Sequence, residues 1–329
     1  MTTYKGLKGT KIQNITSDAI ASQYGGGAWA SGGNLNTAKR QGAGFGTQTA
    51  GLYACGNAPS PTTTNVEEYD GTSWSEVNDA PTGHFAIASS RNAPQTSGII
   101  FGGTNSDNTG VSTESDSYDG TNWTESAELN TGRKQLGGAG SSSTSAVAFG
   151  GGGGENETET FNGSAWTEVN NLNTGRANMG YFGTATAAIA AAGTDAPGNS
   201  PAVEQWDGSS WTEVAELNTF RGRSGGAGTV TDGLIISGGP SNVANTEVWN
   251  GTSWTEVADV SAARLEASSG GTGSSAFLAG GYTSTEVATT EEWSFPSATA
   301  VQLGQVWFNT DSTTLKGYAQ AGTGSWASG

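Results

Sequence analysis

Cysteine and histidine are almost missing from these 329 residues: Cys55 and His84 are the only ones. A single cysteine cannot form an internal disulfide, and no Cys/His cluster points to zinc. With one histidine, a Ser/His/Asp triad or a His-ligated copper site has almost nothing to stand on, so no catalytic, cofactor or metal residues are expected. Bases are scarce as well, 13 Lys and Arg against 30 acids, for a formal charge of −17. That balance opposes a phosphate-binding surface, and nucleic acid is not an expected partner. No apolar run is long enough for a transmembrane helix, and no charged-then-apolar signal follows Met1. The expectation is a chain made in the cytoplasm without membrane insertion.

Against these absences stand 53 glycines and 11 tryptophans. The glycines recur at fixed offsets, and disordered segments are poor in aromatics, so the composition is that of a repeat protein rather than a flexible one. The pattern Tyr69-Asp-Gly-Thr-Ser-Trp74 returns as Tyr118 to Trp123, Phe161 to Trp166, Trp206 to Trp211 and Trp249 to Trp254. An Asp-Gly or Asn-Gly pair between strand-forming residues predicts a hairpin closed by a tight type I′ turn. From Trp29 through Trp74, Trp123, Trp166, Trp211 and Trp254 the intervals are 45, 49, 43, 45 and 43 residues. A period near 45 with strand-like segments fits a β-propeller blade, a four-stranded sheet that cannot bury its faces alone.

Each unit reads alike. In the third, Leu129-Asn-Thr-Gly-Arg133 precedes a small-residue strand at Gly137-Gly-Ala-Gly140, an apolar strand at Ala146-Val-Ala-Phe149, Gly150-Gly151, Glu159-Thr-Phe161 and Trp166. Glycine and alanine in the first strand suit the crowded axis of a propeller, where blades approach closely. The last unit reaches Glu291-Glu-Trp293 without a tryptophan strand of its own, whereas Trp29 has no hairpin before it. If Trp29 supplies the outer strand of the last blade, the ring closes without a bare edge. The expected fold is therefore all-β, a six-bladed propeller over 27–296 closed by an N-terminal outer strand, with a basic arm at 1–26 and a hairpin extension at 297–329. The near-copy of the Trp29 segment at Gly324-Ser-Trp-Ala-Ser-Gly329 is a second candidate for closing that blade, or for completing a neighbouring chain.

Aligned units place Lys39, His84, Arg133, Arg176, Arg221 and Arg264 in one slot, and Glu67, Asp116, Glu159, Glu204, Glu247 and Glu291 in another. A basic ring at one mouth of the channel could hold an anion. The favoured alternative is a ring of ion pairs and backbone hydrogen bonds joining blades, because a charge near a packed axis must be paired. Trp29, Trp74, Trp123, Trp166, Trp211 and Trp254 are expected to pack blade against blade, with a sugar-stacking platform as the other reading for one or two of them. Units differ most between second and third strands, so those loops form the expected binding face. Asn105, Asp107, Asn108, Asp195 and Asn199 are its candidate polar contacts, and the first three offer oxygens without matching a defined calcium loop. Cys55, in an apolar strand, is expected to be buried and inert.

Gly-Gly after the second strand, an aromatic ending the third, tryptophan in the fourth and a cation before the next unit together resemble kelch repeats from about Trp29 to Trp293. Cys55-Gly56, Ala192-Gly193 and Pro81-Thr-Gly-His84 depart from that pattern. The wording Leu-Asn-Thr-Gly-Arg and Tyr-Asp-Gly-Thr-Ser-Trp, with Gly304-Gln-Val-Trp-Phe-Asn and Leu315-Lys-Gly-Tyr318, is similar to kelch-like virion proteins of marine tailed bacteriophages. The resemblance implies a non-enzymatic fibre or surface-decoration component of the virion, present in many copies. Its partners would be other virion proteins and a host surface glycan or protein. An intracellular kelch adaptor and a propeller enzyme are the alternatives, since the fold hosts all three.

Overall fold

The repeated hairpin forms, but its turn is wider than the type I′ turn expected. Tyr69 pairs with Trp74, leaving four residues between them. Among those four, only Gly71 has positive φ, at 90°. Asp70 is not left-handed; its Oδ1 accepts the N–H groups of Thr72 and Ser73, each at 2.8 Å. The side-chain oxygen closes the turn that left-handed backbone would otherwise have to make. Asp119, Asn162, Asp207 and Asn250 do the same. Hydrogen bonds from the Ser209 hydroxyl and from backbone N–H groups hold Asp207 down at about 2.

The computed structural model describes residues 27–58, 62–104, 110–194, 198 and 200–295, with strand backbone at 13–15, 306–309 and 314–317. No helix occurs among them, so none is long and apolar enough to cross a membrane. Residues 27–294 form six antiparallel four-stranded blades. Blade 3 is representative, with strands Gly137–Ser142, Ser145–Gly151, Glu155–Phe161 and Trp166–Val169 in that order. Blade 6 takes three strands from Ser268–Gly271, Ser275–Ala279 and Thr290–Ser294, and its fourth from Ala28–Ser31, with Trp29 opposite Trp293. The chain's first propeller strand thus closes its last sheet.

Small residues in the first strands set the blade spacing. At Gly226 an added Cβ would stand 2.5 Å from the Tyr181 carbonyl of blade 4, and at Gly138 it would stand 2.8 Å from the Ser89 carbonyl of blade 2. Second strands are buried beyond their first residue, as with Val147, Ala148 and Phe149. The tryptophans fill the outer seams. Trp74, Trp166, Trp211 and Trp254 are buried, while Trp29 and Trp123 are half-buried. Every one of the six donates its indole N–H to the preceding blade or the segment leaving it. Trp74, Trp166, Trp211 and Trp29 reach the hydroxyls of Thr290, Ser115, Thr158 and Thr246. Val66 and Val203 occupy that third-strand position in blades 1 and 4, and there Trp123 and Trp254 turn to the carbonyls of Asn78 and Ala215. Edge-on rings on Phe101, Phe149 and Phe277 complete the seams of Trp166, Trp211 and Trp74.

A second unit comprises 1–26 and 295–329. Within it Val306–Asn309 pairs antiparallel with Thr314–Gly317, matching the expected C-terminal hairpin, and Gln13–Ile15 joins parallel to the first of these. The N-terminal arm therefore contributes a strand that its sequence did not announce. The Gly324 to Gly329 segment lies outside the described residues.

Removing the closing strand should bare the Thr290–Ser294 edge. A chain lacking residues 1–31 is expected to melt about 10 °C below one lacking 1–26 and to self-associate. Calorimetry and light scattering provide the check, and equal melting points would refute closure by this strand.

Candidate functional site

Each cation residue works in two directions. Its side chain enters its own blade: Arg133, Arg176, Arg221 and Arg264 lie 2.8, 2.6, 2.8 and 2.9 Å from Glu159, Glu204, Glu247 and Glu291, and Lys39 lies 3.4 Å from Glu67. Its carbonyl accepts from the preceding blade. The N–H groups of Gly56, Gly103, Gly151, Gly193, Gly238 and Gly281 donate to the carbonyls of His84, Arg133, Arg176, Arg221, Arg264 and Lys39, all within 3.1 Å. Those six glycines all have φ near or above 99°, where a side chain would be strained. The residue before each is also left-handed, so Cys55, Ala192 and Ser237 stand in for the first Gly of the pair at φ 57°, 54° and 60°.

The acid carries more than its cation. Glu159 accepts the backbone N–H and side-chain amide of Asn130, both at 2.8 Å, and Glu67, Glu204 and Glu247 take the same two bonds from Asn36, Asn173 and Asn218. This is why Leu-Asn-Thr recurs before the cation. Burial pulls Lys39, Arg133, Arg221 and Arg264 below their ordinary values, against the attraction of their glutamates. The six cations are almost fully buried inside blades, so they do not line a channel mouth open to an anion.

Blade 2 departs from this scheme. His84 Nε2 lies 2.6 Å from Glu114, not from Asp116. Among the described residues, Asp116 is held by no cation. Pro81 replaces the asparagine and has neither an N–H nor a side-chain amide to donate. Buried and facing Glu114 and Glu125, the Asp116 carboxyl is pushed up to about 6. The expectation of one cation–acid pair at equivalent slots in every blade therefore fails here, because proline removes half of the acid's support.

Two features around the axis had no counterpart in the sequence reading. Two positions after each cation, Gln41, Ala86, Gln135, Asn178, Arg223 and Glu266 all adopt φ between 56° and 60°. Their backbones form a closed hydrogen-bonded circle: each N–H donates to the equivalent carbonyl of the preceding blade, and Gln41 closes it onto Glu266 at 2.9 Å. Left-handed backbone at six non-glycine residues costs about 1–2 kcal/mol each, and the circle is what it makes possible. Blade 2 also carries eight residues, 90–97, between its first two strands, where the other blades have two or three. Arg91 from this insertion reaches Ser269 of blade 6, at 2.6 Å to its carbonyl, and stacks 4.3 Å from the Tyr181 ring of blade 4. Asn92 binds Gly140 of blade 3 and Gly228 of blade 5. The insertion spans the axis. Its trace in the sequence is the 49-residue interval from Trp74 to Trp123, the longest of the five.

Asn105, Asp107, Asn108, Asp195 and Asn199 lie outside the described residues. Cys55 is buried, and burial pushes its thiol up to about 12, an unreactive state at neutral pH. No group of three or more metal-ligating side chains is found among the described residues.

Arg176→Ala leaves Glu204 charged and buried, and should cost about 3–5 kcal/mol in chemical denaturation. A stability equal to the parent's would remove the pairing argument. For Asp116 the sign runs the other way. Its carboxyl is raised in the folded state, so the fold binds more protons than the unfolded chain and loses stability as pH rises from about 4 to 6. Asp116→Asn should therefore be more stable than the parent at pH 7, with the gap closing below about pH 4. A gap independent of pH would contradict the buried carboxylate.

No family model matches this sequence, and no curated protein matches it. Among solved structures, one titled "Structure of YjhT" superposes with a TM-score of 0.65 over 79% of this chain and 96% of that one, at 12% identity. At that identity the likeness is one of fold: six blades in a ring.

Proposed function

We propose that this chain is a non-enzymatic structural component of a phage virion, a fibre or surface-decoration protein of the kelch type. In this reading the propeller displays its second-to-third-strand loops to a host surface glycan or protein, or to other virion proteins, and many copies are present per particle. The observation that carries it is the division of the chain. One unit is a ring closed on itself, and the other pairs strands from both chain ends. In this reading the ring is the display head, its loops the contact surface, and the second unit the attachment module.

The recurring acids and arginines support the same reading. Glu67, Glu159, Glu204, Glu247 and Glu291 are committed to a cation and to the segment preceding it. They are tied into blade stability rather than free for proton transfer. The tryptophan N–H groups, used across blade seams, likewise leave the loops as the variable surface.

Mass spectrometry and electron microscopy of purified particles, from the phage whose genome encodes this chain, provide the test. The expected result is a multi-copy six-bladed ring in the particle. Absence from particles would reject the virion reading. Burial of the loop face against other subunits, with no binding on a glycan array, would reject host recognition.

A further inference from the structure

Seven cationic side chains are nearly or fully buried in the propeller, and six have a carboxylate: Lys39, His84, Arg133, Arg176, Arg221 and Arg264. The seventh is Arg91, 4% exposed. Among the described residues no carboxylate pairs with it. Its Nη1 donates to the Ser269 carbonyl at 2.6 Å and hydroxyl at 3.0 Å, and its guanidinium faces the Tyr181 ring. Its Nε has no hydrogen-bond partner, as in Arg133, Arg221 and Arg264; what sets Arg91 apart is Nη2, which among the described residues has no partner and is not sealed off. Arg91 is thus the one buried cation of the seven whose charge is offset by neutral acceptors and a ring rather than by a carboxylate, which leaves it able to attract an anion.

There is space for one. Arg91 forms one wall of a pocket of about 70 Å³ on the axis, open to solvent and rimmed by the hydrogen-bonded circle of Gln41, Ala86, Gln135, Asn178, Arg223 and Glu266. That volume holds roughly five water-sized positions, enough for a small organic anion. Glu266 does not repel such a guest, because Arg40 at 2.7 Å and Arg223 at 3.4 Å already neutralise it. Arg40 is shared with Glu286 at 3.1 Å, so these rim charges balance and Arg91 is the net positive charge of the pocket, in a protein whose formal charge is −17. Gln41 and Gln135 bring amide groups to the same lining.

We propose that this axial cup binds a small carboxylate, with Arg91 as its counter-ion. A carboxylate oxygen can accept from Nη2, while Nη1 is fixed to Ser269 and Nε is buried. The insertion that carries Arg91 occurs in one blade of six, so the cup is a single site on a pseudo-symmetric ring. The site is independent of the virion assignment, and stands or falls separately from it.

The test is a titration of the full-length, ¹⁵N-labelled protein with sodium acetate, against sodium chloride at equal ionic strength, observed at the assigned Arg91 Nε–H resonance. A saturable acetate shift is expected, with acetate also raising the melting temperature. In Arg91→Met that melting response should vanish, and in Arg91→Lys acetate should bind about tenfold to a hundredfold more weakly. If either variant fails to fold, the parent titration decides alone. An Nε–H signal unmoved at concentrations that saturate a millimolar site overturns the proposal. An equal response to chloride, or saturation by inorganic phosphate where acetate has no effect, overturns the carboxylate assignment.

Discussion

The propeller depends on one residue per blade facing two ways. The carbonyl of that residue binds the preceding blade through a glycine N–H, while its side chain is buried in its own blade against an acid. Neither half suffices by itself. A buried guanidinium needs its glutamate, and a blade needs a fixed neighbour because a four-stranded sheet cannot cover its own faces. Coupling both at one position ties the interior of a blade to its seam. The same acid holds the asparagine three residues ahead of the cation, so a short stretch of sequence sets side chain, backbone and turn together.

Blade 2 shows what happens when that coupling is altered. Pro81 removes two donors, the acid shortens to Asp116, and histidine replaces arginine and turns to Glu114. The three changes fall on one network, which in the other blades joins the asparagine, the acid and the cation. The same blade sends residues 90–97 across the axis, where they touch blades 3, 4, 5 and 6. The blade that breaks the repeat most is thus the one that fills the centre of the ring.

Much of this was legible in advance. Six units, the order of strands, the partnership of Trp29 with Trp293 and the C-terminal hairpin follow from periodicity and from which strands lack a partner. Pairing of the arginines with the acids followed from the cost of an unpaired charge near a packed axis. The turn was misjudged because Asp-Gly is consistent with a left-handed pair, whereas a side-chain oxygen can satisfy the same N–H groups. The circle of Gln41, Ala86, Gln135, Asn178, Arg223 and Glu266 was invisible because it is made by backbone, and its six side chains share no chemistry.

By itself, then, the amino-acid order determined the blade: its four strands, its aromatic seam, its internal ion pair and the need to close a ring. These are local or periodic properties, written within some 45 residues and repeated. The tertiary structure decided what happens on the axis, where Arg91 of blade 2 meets Ser269 and Tyr181, residues 178 and 90 positions away. Such contacts join one residue from each of several blades, and no spacing within a single unit can encode them.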